Sequence, residues 1–137
     1  MILVDSCVVI DVLENDLRWV DWSQQQLESA ALKHPLVINA VIYAEISVGF
    51  NRIEQMDVML NRMQITLEDM PREALFLAGK AFQRYKARGG TRTSALPDFF
   101  IGAHAAVLGI PLLTRDARRY ADYFPNLELL VPEKGHR

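Results

Sequence analysis

The sequence predicts an α/β fold in which a central, mainly parallel sheet lies between layers of helices. Short apolar runs alternate with stretches of helical periodicity along the chain, the pattern of repeated strand–helix–strand units. The runs are apolar without alternation, as expected of parallel strands buried on both faces. There is no internal repeat, low-complexity segment or linker, so residues 1–137 read as a single domain. A chain of this length can bury roughly two thirds of its unfolded surface.

Taken in order, Ile2 to Val4 reads as a buried strand, followed by a helix from about Val8 to Glu14. Leu17, Val20, Leu27 and Ala31 fall at helical intervals and predict a second helix. Leu36 to Ile38 reads as a strand and Ala40 to Phe50 as the helix after it. Ile53, Met56, Leu60 and Met63 form an apolar helical stripe, with the methionines as core packing. Ile65 to Leu67 is a weak strand. Leu75, Ala78, Phe82 and Tyr85 make the next stripe, stopped by Gly89 and Gly90. The segment from Arg88 to Pro97, rich in Gly, Thr and Ser, reads as a loop. A helix from Asp98 to Leu108 and strands at Leu112 to Thr114 and Leu127 to Val131 complete the pattern.

Half of the residues are hydrophobic and 23% are charged, the balance of a globular protein rather than a disordered one. With 15 Lys+Arg against 17 Asp+Glu the net charge is -2, so any nucleic-acid binding must come from local patches. Cys7 is the only cysteine, which excludes an internal disulfide and a multi-thiolate zinc site and suits a reducing cytosol. No segment reads as a signal peptide or membrane span, so the expected location is cytoplasmic, without membrane contact.

Four acids stand out. Asp5 ends the first strand and Asp116 follows the strand Leu112-Leu113-Thr114. In open parallel sheets, ligands bind outside the carboxyl ends of strands. Both are equally suited to capping the next helix. Glu45 lies among Val41, Ile42, Ala44, Ile46, Val48 and Gly49, with no cation within one turn. A carboxylate on an apolar helix face is costly unless a metal ion or a distant Arg compensates it. Asp98 follows Leu96-Pro97 and opens Phe99-Phe100-Ile101, where capping is again the simple alternative. Four acids at one edge repel each other and persist together only with cations between them. Hard divalent ions such as magnesium prefer oxygen ligands, and such a site suits phosphoryl chemistry. The spacings of 40, 53 and 18 residues are too long to form a local motif.

The remaining polar residues carry less. His34, His104 and His136 show no metal-ligand spacing, and His104, six residues after Asp98, points away from it round a helix. Asp11, Asp16 and Asp122 read as surface or capping residues, and Trp19 and Trp22 as dimer or core packing rather than base stacking. Between Glu73 and Asp98 there is no acid but there are five bases: Lys80, Arg84, Lys86, Arg88 and Arg92. They read either as a solvated face or as a track for a nucleic-acid backbone, which Arg115, Arg118 and Arg119 would extend.

The segments around the four acids resemble PIN-domain nucleases, and most closely VapC-type toxins of toxin–antitoxin pairs. The matching stretches are Ile2-Leu3-Val4-Asp5-Ser6, Ala44-Glu45-Ile46, Leu96-Pro97-Asp98-Phe99-Phe100-Ile101-Gly102-Ala103-His104-Ala105 and Leu112-Leu113-Thr114-Arg115-Asp116. Tyr123-Phe124-Pro125 and Leu129-Leu130-Val131-Pro132 also look like this family. The resemblance runs in order over essentially the whole chain. It implies a three-layer α/β/α PIN-like domain and assigns Asp5, Glu45, Asp98 and Asp116 as catalytic, metal-holding positions. Ser6 and Thr114 take supporting roles. It further implies magnesium- or manganese-dependent cleavage of RNA, a homodimer, and a cognate VapB-type antitoxin. Arg84, Lys86, Arg88, Arg92 and Arg115 are the candidate RNA contacts.

Rival readings fare worse on particular residues. A phosphatase of the haloacid-dehalogenase type would carry a second Asp two positions after Asp5, where Cys7 stands. A receiver domain would need an acceptor Asp at a middle strand end, but Asp57 lies within a helical pattern. A dinucleotide fold would need Gly-x-Gly-x-x-Gly after the first strand, which is absent. A non-catalytic nucleic-acid-binding or scaffold domain of the same fold is the rival of a different class.

Overall fold

The computed structural model describes residues 1–133; His136 lies outside them. Five short strands form one sheet: β1 (Ile2–Val4), β2 (Leu36–Ile38), β3 (Ile65–Leu67), β4 (Leu112–Leu113) and β5 (Leu129–Leu130). Their order is β3-β2-β1-β4-β5, and every pairing is parallel. Among the described residues the seven α-helices are α1 (Ser6–Leu13), α2 (Val20–Lys33), α3 (Ala40–Ser47), α4 (Ile53–Met63), α5 (Arg72–Ala87), α6 (Leu96–Leu108) and α7 (Arg118–Tyr123). The chain steps from β1 to β3 in one direction and from β3 back past β1 to β4 and β5 in the other. With right-handed crossovers, such a reversal puts the connecting helices on opposite faces, giving the predicted three layers. Among the described residues, no helix is long and apolar enough to cross a membrane.

The strand residues explain the core. β1 and β2 are buried along their whole length. Leu3 and Val4 are completely inaccessible, as are Leu112 and Leu113 beside them. Burying each such side chain contributes roughly 1.5–3 kcal/mol. β3, at the sheet edge, buries only Ile65.

Several boundaries depart from the sequence pattern. Leu17 is 97% exposed and precedes α2, because the chain first turns on Asp16, whose carboxylate accepts from the Arg18 and Trp19 amides. On α5 the buried face is Ala74, Ala78 and Ala81, and Leu75 is largely exposed. Small residues at that spacing let α5 lie close against α6, with Phe82 and Tyr85 at the flank of the contact. α6 begins at Leu96, so Asp98 sits in its first turn rather than capping it. A 3-10 turn at Thr93–Ala95 lies inside the expected loop, and α7 occupies a stretch that the sequence pattern leaves unassigned.

Two features position the helices that carry the candidate acids. Asn39 caps α3 by accepting the Ile42 amide on Oδ1, and its Nδ2 lies 3.1 Å from His104 Nδ1 in the core. Since Oδ1 is taken by an amide donor, Nδ2 donates to the ring, which places the ring proton on Nε2. This buried bridge ties α3, bearing Glu45, to α6, bearing Asp98. The second feature is Gly102. A Cβ there would fall 2.5 Å from the Phe124 ring and 3.0 Å from that of Tyr120, so the glycine lets α7 and the residue after it pack directly on α6.

Gly102→Ala should therefore destabilise the protein by about 1–3 kcal/mol through overpacking, even though Ala favours helix by about 1 kcal/mol over Gly. The readout is the thermal midpoint. An unchanged or raised midpoint would mean that the two rings yield without strain.

Candidate active site

The reversal of strand order lies between β1 and β4, and Asp5 and Thr114 directly follow those strands. Asp5 is only 7% exposed. It caps α1, as its residue type suggested, with Oδ1 accepting the Ser6 amide at 2.8 Å. Its other oxygen, Oδ2, accepts the Thr114 hydroxyl at 2.8 Å and the Tyr120 hydroxyl at 3.0 Å. Capping and site placement are thus properties of the same side chain.

Two hydroxyls link Asp5 to the next acids. Ser6 Oγ donates to Glu45 Oε1 at 2.9 Å and lies 3.5 Å from Asp5 Oδ1. The Tyr120 hydroxyl lies 3.4 Å from Asp98 Oδ1 while bonding Asp5. Asp98 Oδ2 accepts Nη1 of Arg119 at 2.6 Å. Asp5, Glu45 and Asp98 therefore converge. Asp116 stands apart at the rim: it is exposed, its amide donates to Thr114 Oγ1, and its carboxylate accepts the Arg118 amide at 3.3 Å. It reaches the cluster through charge, by raising Asp98.

The electrostatics follow from this crowding. Burial raises Asp5 above the ordinary carboxylate range, and the Asp98 charge adds to it, against the hydrogen bonds of Thr114, Tyr120 and Ser6. Burial likewise raises Glu45, with further repulsion from Asp5 and Asp98, opposed by Ser6. Asp98 is raised by burial and by Asp116, opposed by Arg119 and Tyr120. Tyr120 is held well above its usual value by burial and by the two carboxylates it faces, so it acts here as a hydrogen-bond donor. Burial and the Asp5 charge push the Cys7 thiol up to about 12, which leaves no thiolate to act as a nucleophile.

The donor set fits a hard divalent cation: clustered carboxylate oxygens with a surplus of negative charge. Among the described residues, no three His, Cys, Asp or Glu side chains are grouped closely enough to hold one ion as they stand. One oxygen of Asp98 is engaged by Arg119.

Of the candidate RNA contacts, Arg84, Lys86 and Arg88 are exposed at the end of α5, and Arg92 is exposed in the turn beyond. They adjoin the site through an aromatic cluster. The Arg88 guanidinium lies over Tyr123, whose ring meets Phe99, and Arg119 lies over both Tyr85 and Phe99. Arg115 is engaged elsewhere. Its guanidinium forms a two-pronged pair with Asp11, at 2.8 and 3.0 Å. Asp11 also accepts the Ser23 hydroxyl and is 2% exposed, so it is a core tie between α1, α2 and the β4 end rather than a surface residue. Trp19 and Trp22 meet edge to face, with Arg115 over Trp19. His104 is buried, and its Nε2 has no hydrogen-bond partner of good geometry among the described residues. Burial holds it below its ordinary value, against smaller opposing pulls from Glu68 and the Asp69 backbone.

Tyr120 is the site residue that sequence reasoning missed, and Arg119, read from the sequence as an extension of the basic track, instead pairs with Asp98. The available signal was the Tyr120, Tyr123 and Phe124 spacing after Asp116, which matches one face of a short helix.

The model of the family described as PIN domain matches residues 2–123. No curated protein matches the chain. Among solved structures, VapBC2 from Rickettsia felis, bound to a DNA fragment from their promoter, superposes with a TM-score of 0.72 at 20% identity, covering 96% of this chain and 98% of that one. VapBC-1 from nontypeable Haemophilus influenzae gives a TM-score of 0.71 at 18% identity, with the same coverages of 96% and 98%. A toxin–antitoxin complex from Klebsiella pneumoniae gives 0.68 at 21%, covering 95% and 96%. At these identities the likeness is one of fold.

Two outcomes test the geometry. Arg115→Gln should lower stability by about 2–4 kcal/mol, because it strands a buried carboxylate, and should leave RNA affinity nearly unchanged. A stable variant with weakened RNA binding would return Arg115 to the track. Glu45→Gln should melt higher than the parent in chelator at neutral pH. Folding disfavours ionised Glu45, so its stabilising effect is present below the ordinary Glu value and lost as pH rises through the raised folded value. The gap between variant and parent should therefore close on acidification. A lower midpoint for the variant at neutral pH would show that the carboxylate is stabilising.

Proposed function

The chain belongs to the PIN domain family, and from that premise we propose that it is a magnesium- or manganese-dependent endoribonuclease, the toxin of a VapBC-type toxin–antitoxin pair. The observation that carries the proposal is the convergence of Asp5, Glu45 and Asp98 through the Ser6 and Tyr120 hydroxyls at the switch point of the sheet. The toxin role draws support from the neighbours of like fold, which are named VapBC or toxin–antitoxin complexes. A VapB-type antitoxin is the proposed partner. A homodimer in the cytoplasm is the proposed form.

Asp5, Glu45, Asp98 and Asp116 would hold the divalent ion, which supplies an activated water and stabilises charge on the phosphate oxygens. The chain's own groups set the stage for that step. Thr114 and Tyr120 pin Asp5 Oδ2, and Ser6 fixes Glu45 against Asp5. A site carboxylate accepts the proton of the attacking water. Asp116 lies at the exposed rim of the site. Arg84, Lys86, Arg88 and Arg92 guide the RNA backbone toward it. Among the described residues the histidines offer no acid–base pair: His104 is buried on Asn39 and His34 is exposed beside β2.

The test is digestion of an end-labelled RNA by the purified protein, followed by analysis of the new ends. Cleavage should leave 5′-phosphate and 3′-hydroxyl ends. It should stop with chelator, return with magnesium or manganese, and fail with calcium, whose looser geometry positions water poorly. Asp5→Asn should lower the rate by more than about 100-fold, beyond the usual effect of an outer-shell change. Cyclic phosphate ends, or full activity in chelator, would refute the reading.

A further inference from the structure

Arg119 occupies an unusual position for a cation in a site that is to receive another. Its Nη1 lies 2.6 Å from Asp98 Oδ2, with both side chains about one-third exposed. The guanidinium carbon lies 5.5 Å from the Tyr85 ring and 5.9 Å from the Phe99 ring, so aromatic faces hold it in place. Tyr120, the next residue, addresses the other oxygen of Asp98. Helix α7 thus engages Asp98 from both sides.

The neighbouring cations do not share this role. Arg115 is bound to Asp11, and Arg118 approaches Asp116 only at 4.0 Å with both side chains in solvent. Among the described residues, Arg119 is the basic side chain that hydrogen-bonds one of the four candidate acids. Those acids offer no ready three-ligand group in this arrangement.

We infer that Arg119 is a built-in counter-cation of the acidic site, which holds Asp98 when no metal is bound and must yield that carboxylate for a divalent ion to enter. It thereby sets the metal affinity of the site. A positive charge beside a divalent ion repels it, and a carboxylate oxygen bonded to a guanidinium is withdrawn from the ion's ligand set. Both effects have the same sign: Arg119 weakens metal binding. Its aromatic perch keeps it close, so the antagonism is local and permanent rather than a chance surface pair. The inference rests on the metal-dependent reading above.

The experiment is a manganese titration of the chelator-stripped full chain without RNA, followed by thermal midpoint. A ligand at free concentration L that binds the folded state stabilises it by RT ln(1 + L/Kd), so the concentration at which the midpoint begins to rise reports Kd. Arg119→Gln should bind manganese about fivefold more tightly or better, the scale of an ordinary coupling between two bound species. Arg119→Lys, which keeps the charge but loses the planar fork, should fall between variant and parent. It also serves as the folded comparison if the Gln variant melts too low to titrate. Equal or weaker manganese binding by Arg119→Gln, or by Arg119→Lys in its place, would overturn the inference and make Arg119 an orienting group for Asp98. Absence of manganese binding by the parent and by both variants would overturn the metal-dependent reading itself, whereas binding that is unchanged or weaker in the variants overturns only the role of Arg119.

Discussion

Asp5 is a carboxylate sunk at the junction of two central strands. Unpaired burial of such a group is costly, and its donors come from three separate parts of the chain: the Ser6 amide at the start of α1, the Thr114 hydroxyl after β4 and the Tyr120 hydroxyl on α7. Each donor also does something else. Ser6 turns its hydroxyl to Glu45, Thr114 accepts the Asp116 amide, and Tyr120 reaches Asp98. The bonds that make Asp5 tolerable therefore set the placement of the other acids. The site is assembled around the satisfaction of one buried charge.

The distribution of charge around this centre is uneven. Acids crowd the switch point, while the end of α5 carries bases and no acid. Between them lies an aromatic cluster of Phe82, Tyr85, Phe99 and Tyr123. Its rings provide faces for Lys86, Arg88 and Arg119. Aromatic rings accept cations without neutralising them, so basic groups can be held beside an acidic pocket and still present their charge outward.

Consecutive residues after β4 meet quite different fates. Thr114 turns inward to Asp5, Arg115 crosses to Asp11 on α1, Asp116 stays in solvent, and Arg119 returns to Asp98. Gly102 is what admits this segment, because Tyr120 and Phe124 occupy the space that a side chain there would fill. Net charge and residue type say little about such a stretch. Which partner each group meets depends on where the chain bends.

The sequence by itself determined the fold class, the strand positions, and the candidacy of Asp5, Glu45, Asp98 and Asp116. The fold class and strand positions are legible because burial imposes local periodicity, and Asp5, Asp116 and Glu45 depart from it at strand ends and on an apolar helix face; Asp98, and the four acids as one set, rest on the resemblance of their flanking segments to PIN-domain nucleases. Only the tertiary structure decided that Asp11 is buried and holds Arg115, that Asp98 lies within the first turn of α6, and that Tyr120 and Arg119 belong to the site. Those contacts join residues 21, 104 and 115 positions apart. Helix α7 is hard to read from the sequence for a related reason: its six residues make fewer than two turns, so the spacing of Tyr120, Tyr123 and Phe124 is a weak signal, and its position is secured by packing on α6 rather than by its own propensity. Periodicity reports what each segment buries, whereas the partner of a buried charge is settled only when distant segments meet.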